Sequence, residues 1–173
     1  MTSEINRDEQ LIVRAWEDQE FKQELLSNPK AVIERELGEK FPEEVEVRML
    51  AETANIRYLI LPPANIAPEK RQEVVKLIRE SETGALTELK IRSVEDNTFR
   101  QMLLNKPNTV IEHELGIDTL EGIDIRVVEE ERNIRYLILP WHPELLESGE
   151  LSEEALEAVA GGICWISSIH VSL

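Results

Sequence analysis

The residues best suited to chemistry stand together near the end of the chain. Cys164 is the one cysteine, and Ser167, Ser168 and Ser172 follow it within ICWISSIHVSL, residues 163–173. A serine whose hydroxyl is activated as a leaving group loses water to give a dehydroalanine. A thiolate is the natural nucleophile for that alkene, and the product is a thioether. An azoline from Cys164, or epimerised residues, are equally open to a segment of this kind. Ser167 and Ser168 lie nearer the thiol than Ser172 does, so their loops close at a lower entropic cost. The segment carries no Asp, Glu, Lys or Arg, whereas the rest of the chain holds all 19 basic and all 35 acidic residues, for a net charge of −16. A frayed end is normally polar, and an exposed apolar one is an aggregation hazard. Eleven residues do not carry a function unaided, and the elements before them must decide it.

Immediately upstream, LSEEALEAVAGG (residues 151–162) predicts a short helix with Ser152 as N-cap and Glu153 and Glu154 in its first turn. Leu151, Ala155, Leu156 and Val159 fall on one side of that helix, and Glu157 lies opposite. Gly161 and Gly162 follow at once. A terminal helix stopped by glycine is the plain reading. The functional reading is that two residues without Cβ enter a narrow protease cleft, docked by Leu151, Leu156 and Val159. In these spacings the segment resembles the double-glycine leader ending of bacterial peptide precursors. The resemblance implies cleavage after Gly162 by the cysteine-protease domain of an export transporter.

The remainder is a duplication. EDQEFKQELLSNPKAVIERELGEKFPEEVEVRMLAETANIRYLILP (Glu17 to Pro62) aligns without a gap with EDNTFRQMLLNKPNTVIEHELGIDTLEGIDIRVVEEERNIRYLILP (Glu95 to Pro140), at a constant offset of 78 residues. About half of the positions are identical, and NIRYLILP recurs unchanged. In the first copy Leu11, Ala15, Trp16 and Leu25 recur at helical spacing. Asn28 caps a second helix with Pro29 at its first position and Gly38 past its end; Pro107 and Gly116 repeat the pattern. VEVRM alternates as a half-buried strand should, and IRYLILP reads as its hairpin partner across a turn at Asn55, with the same arrangement around Asn133.

The expected fold is therefore α+β, with two tandem helix–helix–β-hairpin modules. Module 1 covers residues 1–63, a helical linker 64–86 ends at Gly84, and module 2 covers 87–141. The double-glycine helix (142–162) and an unstructured segment (163–173) follow. A lone two-stranded hairpin is marginal. The hairpins are thus expected to pair with each other in one larger sheet, or with another chain in a homo-oligomer.

The pattern F..(E/M)LL..P..VIE.ELG, a VxV strand and NIRYLILP together resemble the nitrile-hydratase-like leader peptide family. The resemblance covers about residues 10–63 and 88–141. Such leaders precede ribosomally made, post-translationally modified peptides, including lanthipeptides and proteusins. It implies a non-catalytic leader that is gripped by a maturation enzyme (a dehydratase and cyclase, or a radical enzyme) and then cleaved. A leader of this kind usually carries one module, and this chain carries two.

The family name also raises a nitrile-hydrating enzyme, whose α-subunit holds iron or cobalt through closely spaced cysteines. NIRYLILPP and NIRYLILPW contain none, so no metal or other cofactor is expected. His113 sits in a helix among glutamates and His142 between prolines, neither with a ligand partner at recognisable spacing, and IEHELG has a single histidine. No nucleophile stands beside a base, and no glycine-rich phosphate loop is present. The negative charge excludes nucleic acid and anionic membranes as partners. Without a secretory signal or a membrane-length apolar run, the precursor is expected in the cytoplasm, with only its product exported. A protein-binding adaptor built on the same duplicated module is the alternative.

Overall fold

The computed structural model describes residues 7–38, 40–81, 85–116 and 122–141. The first repeat forms three helices, α1 (Arg7–Glu17), α2 (Gln19–Ser27) and α3 (Pro29–Leu37), then strands β1 (Glu46–Ala51) and β2 (Ile56–Leu61). A 3₁₀ turn (Pro68–Lys70) leads into α4 (Arg71–Ser81). The second repeat gives α5 (Ala85–Glu95), α6 (Asn97–Asn105), α7 (Pro107–Leu115), β3 (Asp124–Glu129) and β4 (Ile134–Leu139). Among the described residues no helix is long and apolar enough to cross a membrane.

Each repeat thus has three helices where two were expected. The break is Asp18, which is extended (φ −117°, ψ 105°) and accepts a hydrogen bond from Phe21 N at 3.0 Å. Asp96 does the same with Phe99 N at 3.1 Å. An acidic N-cap satisfies an orphan amide and faces the positive end of the new helix. The next boundary forms where expected, but not through Asn28: its side chain makes no capping bond, and Lys106 takes the same place in the second copy. Pro29 and Pro107, pre-set for a first helical turn, carry the start. Gly38 and Gly116 end these helices in the left-handed region, at φ 73° and 62°.

The three helices of each repeat are tied by one arginine. Arg14 of α1 lies 4.1 Å from the ring centroid of Phe21 in α2 and donates to Glu36 of α3 at 3.1 Å. Arg92 repeats this with Phe99 (4.1 Å) and Glu114 (2.7 Å). The ion pairs are solvated and count for little, but the guanidinium also covers a buried ring.

The strands overturn the hairpin expectation. β1 pairs in parallel with β4, from Glu46 opposite Ile134 to Ala51 opposite Leu139. β2 pairs in parallel with β3, from Ile56 opposite Asp124 to Leu61 opposite Glu129. The two registers are the same register with the copies exchanged. A tight turn does form, as an antiparallel bridge between Thr53 and Ile56, but pairing does not propagate from it. Glu52 Oε1 accepts from Tyr58 N at 3.2 Å, and the Arg57 guanidinium donates to Thr53 O. Side chains therefore take backbone groups that a hairpin ladder would use. The described strands accordingly form two two-stranded ladders, neither a hairpin nor one larger sheet.

The chain divides into two compact units that do not follow the repeats. One unit runs to Ala51 and resumes at Asn133; the other spans Glu52–Arg132. Each therefore contains one strand from each repeat. In the second unit Leu59, Leu61 and Ile125 pack with Leu89, Phe99, Leu103 and Ile111. The segment between the repeats is integral to this unit, since Ile66, Val74, Val75 and Ile78 pack with Ile91 and Val94. In the first unit the counterparts Val47, Leu137, Leu139, Leu11, Phe21, Leu25 and Ile33 are likewise buried.

Candidate functional site

The cleavage, docking and modification residues expected from sequence (Leu151, Leu156, Val159, Gly161, Gly162, Cys164, Ser167, Ser168 and Ser172) lie outside the described residues, as do Gly84 and His142. The structure does describe the stretch that leads to them. Pro140 follows β4, and its carbonyl accepts a hydrogen bond from Trp16 Nε1 of α1 at 2.8 Å. The indole fixes the end of β4.

Strand alternation sorts the ladders into two faces. Arg57, Leu59, Leu61, Ile125, Val127 and Glu129 share the helix-covered side of the β2–β3 ladder. The other side carries Tyr58 opposite Arg126, flanked by Ile56 opposite Asp124 and Ile60 opposite Val128. In the β1–β4 ladder the corresponding positions are Arg48 opposite Tyr136, Glu46 opposite Ile134, and Leu50 opposite Ile138. Each such face offers a guanidinium beside a phenol, with branched apolar side chains next to them.

Both guanidinium groups are held in place along their strands. Arg48 Nε donates to Glu46 Oε1 at 2.6 Å and Nη1 to the Tyr136 hydroxyl at 3.3 Å. Arg126 Nε donates to Asp124 Oδ2 at 3.0 Å and bonds Tyr58 as well. The carboxylate bond first, and then the phenol bond, raise each arginine above its ordinary range. These groups therefore stay cationic and exchange no protons in turnover, which suits recognition and not acid–base catalysis. Composition gave no hint of this pairing, although the alternation in NIRYLILP already put Tyr58 and Tyr136 opposite their leucines.

The two repeats lock the start of their first strands, β1 and β3, by different means. Lys30 Nζ donates to the carbonyls of Pro42 (2.8 Å), Glu43 (3.3 Å) and Val45 (2.9 Å). At the equivalent position, Asn108 Nδ2 donates to Ile123 O at 2.6 Å, and its Oδ1 accepts from Ile125 N at 2.9 Å. A second difference lies at Arg100, whose buried guanidinium donates to Glu129 Oε1 at 2.6 Å and to the Pro62 carbonyl. The first repeat has Lys22 and Ala51 at these two places.

Among the described residues no group of three or more His, Cys, Asp or Glu is gathered to hold a metal ion. His113 is 84% exposed, with Glu114 Oε1 lying 3.5 Å from its Nδ1.

No protein-family model matches the chain. Over 74 residues it is 34% identical to the high-molecular weight cobalt-containing nitrile hydratase subunit alpha of Rhodococcus rhodochrous, which is 40% of this chain and 36% of that one. The match thus spans little more than a third of this curated relative. Two solved structures of the Fe-type nitrile hydratase from Comamonas testosteroni Ni1, each with two histidines replaced, superimpose with a TM-score of 0.55. Their identities are 25% and 26%, over 89% and 88% of this chain and 66% of theirs. A thiocyanate hydrolase mutant superimposes at a TM-score of 0.51 and 16% identity, over 87% of this chain and 66% of the other, which is a likeness of fold alone. The chain is thus similar to nitrile hydratase in sequence and in fold. The donor set does not fit the cobalt or iron named for those relatives: the sole thiol, Cys164, stands far from both NIRYLILP strands in sequence.

Proposed function

We propose that the chain is a non-catalytic, nitrile-hydratase-like leader that presents residues 163–173 for modification and is then cut after Gly162. The observation that carries this reading is the position of the one thiol. Cys164 stands among Ser167, Ser168 and Ser172, just past Gly161 and Gly162, and outside the repeats that resemble a metalloenzyme subunit. In this role a maturation enzyme grips the Arg48–Tyr136 or the Arg126–Tyr58 face. The bond from Trp16 to Pro140 fixes the end of β4, ahead of the substrate segment in sequence. A transporter protease docks Leu151, Leu156 and Val159, the precursor stays in the cytoplasm, and the product is exported.

Co-expression with a dehydratase and cyclase, or with a radical enzyme, followed by tandem mass spectrometry tests it. Loss of water within residues 163–173 and blocked thiol alkylation at Cys164 give a thioether. An unchanged mass with altered stereochemistry gives epimerisation. A segment left unmodified, in protein that binds one equivalent of iron or cobalt and hydrates a nitrile, overturns the reading.

A protein-binding adaptor is the second reading, and the guanidinium–phenol pair repeated on both ladders favours it. The Rhodococcus relative is itself named as a subunit. An adaptor keeps its partner when the chain is truncated after Gly162. A precursor loses its substrate segment.

A further inference from the structure

Strands β2 and β4 lie within one octapeptide that occurs twice, Asn55–Pro62 and Asn133–Pro140. Each docks in the same parallel register, β2 on β3 and β4 on β1. Nothing in the strand itself specifies which frame it completes, so its partner is set by the connections of the chain. These connections are short. The chain passes from one unit to the other between Ala51 and Glu52 and returns between Arg132 and Asn133.

Neither unit is complete with one repeat, since each needs a strand carried by the other. A second molecule offers the same strand with the same side chains and backbone bonds. Exchange between two molecules therefore replaces every ladder interaction by its equal. The balance is left to the local concentration of the chain's own strand against that of its neighbour's. Such an exchange also closes on itself, because each molecule both gives and receives a strand. From the interchangeable strand and its crossing connections, we infer that a second copy of this chain is a partner. The strand β4 of one molecule completes β1 of another, and reciprocally, in a strand-exchanged dimer that forms during folding at high concentration. This inference is independent of the leader reading.

Cysteine trapping in the full chain with Cys164→Ser tests it. Arg48 and Tyr136 are opposite one another in the ladder, and neighbouring strands lie about 4.8 Å apart, within the span a disulfide bridges. One chain carries Arg48→Cys and a second carries Tyr136→Cys. Refolded together at high concentration and then oxidised, they are expected to yield a mixed covalent dimer. Tenfold dilution during refolding cuts its yield about tenfold while exchange is the minor path. Chains refolded separately and then mixed briefly should give none. A chain bearing both cysteines, refolded dilute, closes an internal disulfide and reports that the pairing itself is present. Internal closure with no mixed dimer at any concentration overturns the inference, and so does failure of the double-cysteine chain to close. Pairing Arg48→Cys with Tyr58→Cys extends the test to β2: a mixed dimer there supports full interchangeability, and its absence restricts exchange to β4.

Discussion

Leu61 and Leu139 sit at the same position of the same octapeptide, and both side chains are fully buried. Replacing either by Ala removes three carbons, about 2.4 kcal/mol at roughly 0.8 kcal/mol per buried methylene. The cavity left behind brings the loss to about 3 kcal/mol. Substitutions of equal chemistry should therefore cost about the same, yet they should act in different places. Leu139 belongs to the second repeat but to the unit that contains Trp16 and Trp141; Leu61 belongs to the first repeat but to the unit spanning Glu52–Arg132. In a background with Trp141→Phe and Trp165→Phe, urea unfolding followed by tryptophan fluorescence reports the surroundings of Trp16 alone. Leu139→Ala should lower that midpoint by about 2 M at a slope of roughly 1.5 kcal/mol per M. Leu61→Ala should leave it in place and shift the remaining far-ultraviolet circular dichroism transition instead. If Leu61→Ala moves the tryptophan midpoint while Leu139→Ala spares it, each repeat folds with its own strand and the exchange is wrong. Equal shifts would show that the two units do not unfold separately.

Further outcomes follow from single contacts. Glu129→Ala should cost about 3 kcal/mol in urea unfolding, because it leaves the nearly inaccessible Arg100 guanidinium with the Pro62 carbonyl; Arg100→Met should cost less, since the Glu129 side chain is 34% exposed and water can reach it. Gly38→Ala and Gly116→Ala should each cost about 1 kcal/mol, from the left-handed backbone alone, since a Cβ at either place meets no neighbouring atom. Trp16→Phe should cost about 1 kcal/mol by removing the bond to Pro140 O, with a matching fall in the thermal midpoint. The Glu24 carboxyl is held below its ordinary 4.5 chiefly by the hydrogen bond from Arg35. Its contribution is therefore present above that value and lost as pH falls through the lowered one; in Arg35→Gln, nuclear magnetic resonance should find the Glu24 titration moved up toward 4.5.

Much of the local structure was legible. The helix from Pro29 to Gly38 and its counterpart followed from a proline that fits a first turn and a glycine that tolerates positive φ. The strands followed from alternation. The break at Asp18 is hidden in the sequence because the apolar spacing from Leu11 to Leu25 runs on through it. A single carboxylate turning back on Phe21 N is a local event that periodicity does not register. Strand pairing was not legible at all. Alternation says which residues share a face, but IRYLIL is the same in both copies, and the turn at Thr53–Ile56 is the kind that begins a hairpin. Glu52 and Arg57, occupying backbone groups beside that turn, keep it from growing into a hairpin, and the connections of the chain set which frame the strand then joins, since Leu59 and Leu61 are matched by Leu137 and Leu139. The expected cleavage and modification residues lie beyond Trp141, where residue types and spacing carry the signal.

The identical octapeptide also limits where the two units can differ. One strand sequence must fill two frames, so the differences are absorbed by what surrounds it. Val47 becomes Ile125 opposite the strand, and Ala15 becomes Ser93 on the preceding helix. Lys30 grips three carbonyls where Asn108 makes a two-point bond, and Lys22 gives way to the buried Arg100. The outward pairs stay alike, with arginine against tyrosine in both ladders. A partner that reads only those pairs meets the same chemistry twice. A partner that tells the units apart must therefore read the ladder positions that flank those pairs, where Glu46 is replaced by Asp124 and Leu50 by Val128. Exchanging those two positions between the units, with the arginines and tyrosines untouched, would move such a partner from one unit to the other; a partner that stayed in place would be reading the helices.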